Sequence, residues 1–424
     1  MRKGLFILYM MGVALFTACS MENDMAVGYE QSPESKAAIL ADANKDSEVP
    51  IQLGFSFSRS AMSVTRSPLN SDAGMFTTPA GKYLGVFCLA QKPQAALASP
   101  GPVAENDIDW TMSSANLTYL MTPNQPAQVV KKSVSEVYFV DPATLGTTPT
   151  KKHYYYPDAS WYNYHFYAYY PRQNSNVTVA PKKITVDFAL DGTQDVLWTK
   201  AVPTTGDTEN GFNAEYFSNE VNDNPALGLS HSLTQLRFYV KCVDSKYNTL
   251  SFAANQLQLK GIKIVGIPMN WTLTVADRDN PSNEGKLTYT NFTLTNELNV
   301  WHENGDGTDT EALSYANGAI NVPYIQGTTT PTYVGYAMIP TTAMMDAIIA
   351  AGLDIPKNPF VKLTVNEKGT VYEMTPKMVT LPSNGSFEAA KIYNVYLSIP
   401  IQSEGGEVEL NAGDQSDPGL DPGN

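Results

Sequence analysis

The chain has 424 residues, 43% of them apolar and 17% charged, which is enough for two or three domains with buried cores. Its 28 Lys and Arg against 42 Asp and Glu leave a net charge of −14, a balance that repels a phosphate backbone and excludes nucleic acid as a partner. Four His and three Cys leave little material for zinc or iron–sulfur chemistry, while 24 Tyr, 16 Phe and 5 Trp favour strands over helical bundles.

Arg2 and Lys3 precede an apolar run from Gly4 to Phe16 and then Thr17-Ala18-Cys19. A short positive segment, an apolar stretch and small residues before a cut read as a secretory signal over residues 1–18. That run is well short of the ~20 residues a spanning helix needs. A cysteine directly after the small pair reads as a bacterial lipoprotein signal, so Cys19 is the expected site of acylation. Glu22 and Asp24 favour exposure on the outer face of the outer membrane. Residues 19–50 are polar and read as a tether.

Ile51, Leu53, Phe55 and Phe57 alternate with Gln52, Gly54, Ser56 and Ser58, which puts four apolar side chains on one face of a strand. Behind it, Arg59 to Pro68 is rich in small residues, without periodicity, and protease-accessible on composition. Cys88 and Cys242 lie in separate strand-like runs and read as two buried free thiols rather than a disulfide.

Period-two patterns recur further on. Ile184, Val186, Phe188 and Leu190 share a face, as do Leu227, Leu229, His231 and Leu233. Leu257-Leu259 and Ile262-Ile264 predict one strand with a bulge between its halves. Val361–Val365 and Val371 flank Asn366-Glu367-Lys368-Gly369 as a hairpin. Tyr393, Val395, Leu397, Ile399 and Ile401 make the longest clean alternation. Only Thr341–Gly352 reads as helix. Many short strands and one helix predict an all-β protein of two tandem β-sandwich domains. The Asn, Asp, Glu and Pro cluster at Asn219–Pro225 places the boundary between residues 51–222 and 223–402, followed by an acidic tail at 403–424.

The run His153 to Arg172 contains Tyr164-His165-Phe166-Tyr167-Ala168-Tyr169-Tyr170-Pro171. It is similar to the aromatic strand of the fimbrillin family, the type V pilins of gut and oral anaerobes. Thr193–Leu197, Leu229–Phe238, and Thr380–Ser383 with Phe387 and Lys391–Tyr393 resemble three further segments of that family in the same order. The lipoprotein signal and Thr65-Arg66-Ser67 agree with it. The resemblance, over about residues 19–400, implies transthyretin-like sandwiches exported as an outer-membrane lipoprotein. It also implies maturation by an Arg- or Lys-specific protease that removes the first strand with its lipid. The opened groove would then accept a strand from another fimbrial subunit, building an extracellular fimbrium for adhesion or biofilm formation. Here the cut is expected between Arg66 and Ser67, with Arg59 as the alternative. The displaced strand is Ile51, Leu53, Phe55 and Phe57. The donor within the tail is Val408, Leu410 and Ala412, a weaker plug than the strand it would replace.

Other constellations carry less. Trp161 and the tyrosines from Tyr154 to Tyr170 are either a core strand or a platform for sugar rings, and the second option defines a rival reading, a lipid-anchored glycan-binding protein. Gly74 to Lys82 lacks the spacing of a phosphate loop. Ser230 and Ser232 point away from His231 on a strand, so no nucleophile is served by that imidazole, which is expected to be a hydrogen-bonded core residue. Asp277, Asp279 and Glu284, and separately Asp306, Asp309 and Glu311, miss the calcium-loop spacing and read as solvated loops. No catalytic residue, metal or cofactor is expected. The partners are other fimbrial subunits, the maturation protease, and a host or bacterial surface glycan or protein.

Overall fold

The computed structural model describes residues 49–57, 82–91, 108–109, 121–130, 136–156, 163–180, 183–201, 211–212, 226–242, 257–291, 297–303, 310–312, 320–321, 332–367, 370–374, 376–399 and 409–414. In the first half the principal strands are β1 (Leu53–Phe57), β2 (Leu84–Gln91), β3 (Gln125–Val130), β4 (Glu136–Val140), β5 (Asn163–Tyr170), β6 (Val177–Ala180), β7 (Lys183–Ala189), β8 (Leu197–Lys200) and β9 (Ala226–His231). The second half contributes β10 (Thr234–Cys242), β11 (Leu257–Val265), β12 (Asn270–Asp277), β13 (Leu287–Asn291), β14 (Thr332–Ile339), β15 (Phe360–Glu367), β16 (Ile392–Ile399) and β17 (Glu409–Asp414). Among the described residues there is one α-helix, α1 (Thr342–Ala350), and the fold is all-β.

Seven strands of the first sheet run in the order β1, β9, β8, β5, β2, β3, β4. β4 then pairs back to β1 through Leu53 with Val137 and Gly54 with Glu136, so the sheet closes into a ring. Strand alternation decides what the ring encloses. In β5, Tyr164, Phe166, Ala168 and Tyr170 turn inward to meet Leu53, Val86, Val129, Phe139, Leu227 and Leu229. Tyr167 and Tyr169 turn outward and are equally buried, because a second sheet covers them.

That second sheet is built by both halves of the chain, in the order β6, β7, β12, β13. β7 and β12 pair antiparallel from Lys183 with Asp277 to Ala189 with Asn270. Ile184, Val186 and Phe188 alternate with outward Lys183, Asp187 and Ala189, as their spacing predicts. β9 pairs with β1 and β8 in the first sheet, and the next strand, β10, lies in a different sheet.

The second half adds two more sheets. One contains β14, β10, β16 and β17 in that order, with β10 and β16 parallel. The other is centred on β11 and β15. Leu236, Phe238, Val334, Val395 and Leu397 from the first share one core with Ile262, Ile264, Val361 and Leu363 from the second. β11 is a single strand whose register shifts between Leu259 and Gly261, the expected bulge. The expected hairpin also forms, with Glu367 paired to Thr370, its two turn residues lying outside the described set. Helix α1 starts where the Thr341 hydroxyl accepts the Met344 N–H, and it buries Met345 and Ile348.

Candidate functional site

The site follows from how β1 closes the ring. Just ahead of it, Val49 and Pro50 pair with Tyr156 and Tyr155, and the Ile51 N–H donates to the Tyr154 carbonyl at 2.8 Å. Gly54 is then paired on both edges, to Glu136 of β4 and to Ala226 of β9. From there Phe55, Ser56 and Phe57 run parallel to Leu227, Gly228 and Leu229. One short segment therefore seals β4 on one side and β9 on the other. Without it, both strands would present unpaired backbone, a template for strand addition.

Its side chains seal the interior too. Ile51 is 5% exposed and Leu53 2%. Burying such side chains contributes about 1.5–3 kcal/mol each. Both belong to the ring's interior core, whose aromatic members pack ring against ring. Tyr156 and Tyr164 have centroids 5.8 Å apart, Tyr156 meets Phe166 edge-on at 6.4 Å, and Phe166 lies 5.9 Å from Phe212. Tyr154–Tyr156, which hold the front of the first strand, carry no mark in the sequence that sets them apart from the other tyrosines around them.

Several expected residues fall outside the described set: Cys19, Arg59, Arg66, Ser67, Val408 and Trp161, together with the side chains of Phe55 and Phe57. Leu410 and Ala412 lie in β17, which pairs antiparallel to β16, Leu410 opposite Leu397 and Ala412 opposite Val395. The strand from Tyr164 to Tyr170 is buried on both faces, which makes those residues core rather than a sugar platform.

The polar constellations resolve as well. His231 is bonded to Asp195, while the Ser230 hydroxyl donates to the Trp198 carbonyl at 3.2 Å, so no nucleophile and base meet here. The loop holding Asp277 and Glu284 is not the solvated segment its polarity predicts. Asp277 is 4% exposed and accepts from the Asn280 N–H at 3.0 Å and from Lys183 Nζ at 3.3 Å. Glu284 accepts from the Tyr167 hydroxyl at 3.1 Å and sits 3.5 Å from Lys200 Nζ. Lysines of the first half thus neutralise carboxylates of the second. Asp279 is exposed; Asp306 and Asp309 lie outside the described residues, as does the Glu311 side chain. Among the described residues no group of three or more His, Cys, Asp or Glu side chains could hold a metal. Cys88 is a free, half-buried thiol whose pKa burial pushes far up, and the Cys242 side chain is outside the described set.

No protein-family model matches the chain, and no curated protein matches it. Among solved structures it is similar to a protein of Bacteroides uniformis provisionally assigned to cell adhesion, at 15% identity over 88% of this chain and 100% of that one, with a TM-score of 0.43. A second protein with the same provisional assignment, from Bacteroides fragilis, shares 14% identity over 87% and 98% of the two chains, with a TM-score of 0.39. A fimbrial protein of Bacteroides ovatus shares 11% identity over 84% of this chain and 51% of that one, with a TM-score of 0.26.

Proposed function

We propose that the chain is an adhesion subunit of a bacterial cell surface, exported as a lipoprotein on Cys19 and assembled into fimbriae by strand exchange. Proteolysis after Arg66 severs β1, still joined to its lipid anchor, from the rest of the chain; β1 leaves, and the opened ring takes up a strand from a neighbouring subunit. The chain acts as a structural protein and not as an enzyme.

The observation that carries this reading is the double pairing of β1. Loss of a strand that completes the ring by bonding to β4 and β9 at once would open a backbone slot and uncover the apolar interior that Ile51 and Leu53 seal. Ile51 and Leu53 supply the anchors that a replacement strand must reproduce. The aromatic strand Tyr164–Tyr170 and the lipoprotein signal support the same reading through their resemblance to fimbrillins.

Unboiled gel electrophoresis of surface material tests it. Strand-exchanged polymers run as a ladder that collapses on boiling, and Arg66→Ala abolishes the ladder. A single band in the parent, or an undiminished ladder in a variant lacking both Arg59 and Arg66, overturns the reading.

A further inference from the structure

The segment that closes the ring is held differently at its two ends. At the end nearest the expected cut, Gly54 to Phe57 run parallel to Ala226–Leu229, and a parallel ladder is the weaker kind per residue. At the far end, Val49 and Pro50 pair antiparallel with Tyr156 and Tyr155, and the Ile51 N–H donates to the Tyr154 carbonyl at 2.8 Å. The slot therefore runs for nine positions, 49 to 57, and its far end lies on Tyr154–Tyr156.

Tyr154–Tyr156 are positioned by the body of the ring. The Tyr154 hydroxyl donates to Gln125 Oε1 at 2.6 Å, and its aromatic ring meets Phe139 edge-on at 5.3 Å. Gln125 is itself fully buried and donates to the Val140 carbonyl of β4. Tyr156 is fully buried against Tyr164 and Phe166. Just upstream, Lys151 and Lys152 pair with Val140 and Phe139 of β4. None of these contacts involves residues 49–57, so they hold the Tyr154 carbonyl and the edge behind it ready for a backbone whichever strand fills the slot.

We propose that Tyr154–Tyr156 form a latch that keeps residues 49–57 in the ring after the chain is cut, so that the ring opens only as an incoming strand takes over the latch. The inference rests on the strand-exchange reading and specifies its partner. That partner is an extended segment of at least nine residues, with apolar side chains at the two positions that Ile51 and Leu53 fill. A segment that covers β1 alone gains the pairs to β4 and β9 but not the latch. Retention of the cut strand also keeps the edges of β4 and β9 from being offered to unrelated strands.

The full chain, with a site-specific protease sequence in place of residues 60–65, is cut and passed over a size-exclusion column. The N-terminal fragment is expected to elute with the body. An excess of synthetic peptide of residues 49–57 then displaces it, read by mass spectrometry of the released fragment. A peptide of residues 53–57 displaces it at least about tenfold more slowly, lacking the Ile51 anchor and the latch pairs. A third peptide, residues 49–57 with an ester in place of the amide between 50 and 51, removes the donor to Tyr154 and keeps every side chain. It acts about three- to tenfold more slowly than the amide. The proposal is overturned if the fragment elutes apart from the body, if the short peptide or the ester matches the full peptide, or if none of the three displaces the fragment. Spontaneous release beside a normal polymer ladder from cells removes the latch and leaves strand exchange standing; absence of the ladder removes both.

Discussion

His231 Nδ1 lies 2.6 Å from Asp195 Oδ2, and the two side chains are only 9% and 1% exposed. Asp195 comes from the loop before β8 and His231 ends β9, so the pair fastens the ring at the point where the chain passes to its second half. Burial pushes the imidazole pKa down, but the Asp195 charge and hydrogen bond outweigh it and hold the pKa above the ordinary 6.5. A raised value in the folded state means that the stabilisation is complete below pH 6.5 and is lost as pH rises through the raised value. The parent's urea midpoint therefore falls on going from pH 6.5 to 8.5, and His231→Gln flattens that dependence. At pH 6, His231→Ala costs about 3 kcal/mol because it strands a buried carboxylate.

Gly285 is where the second half of the chain presses on the first. Its φ of +75° is left-handed, and a Cβ there would meet Trp198 Cε3 at 2.5 Å. The Trp198 indole is held in place by donating to the Val275 carbonyl at 2.8 Å. Gly285→Val therefore combines backbone strain with a clash and destabilises by about 2–4 kcal/mol, read as a lower midpoint in urea.

Glu284, in the same loop, has its pKa raised by burial, a shift that Lys200 and the Tyr167 hydroxyl only partly offset. A carboxyl with a raised folded value stabilises at acid pH and loses that contribution as pH rises through it. Glu284→Gln is accordingly no less stable than the parent at pH 7 and less stable, relative to it, below pH 4.5. Denaturation curves at the two pH values check this.

Leu53→Ala in the uncleaved chain removes a side chain that is 2% exposed and costs about 2–5 kcal/mol. The same substitution leaves the stability of assembled fimbriae unchanged, since the strand that carries it has departed. Melting of purified precursor and of polymer, each with and without the change, makes the comparison.

Local pattern made much of this fold legible before any coordinates. Ile184, Val186 and Phe188 are buried as their alternation predicts, the bulge in β11 falls between Leu259 and Gly261, and Thr341 caps helix α1. Pairing between distant segments was not legible, because period-two alternation fixes a face but names no neighbour. Nothing in Ala226–His231 announces that it lies parallel to β1, or in Asn270–Asp277 that it returns to β7. Asp277 and Glu284 read as solvated for the same reason: the lysines that neutralise them, Lys183 and Lys200, belong to the other half of the chain.

The most direct test of the central claim is the N-terminal residue of the protein in polymer recovered from cells, read by intact mass spectrometry. Departure of β1 predicts a chain that begins at Ser67 and carries no lipid. Polymer whose subunits still begin at an acylated Cys19 and retain residues 51–57 would contradict it.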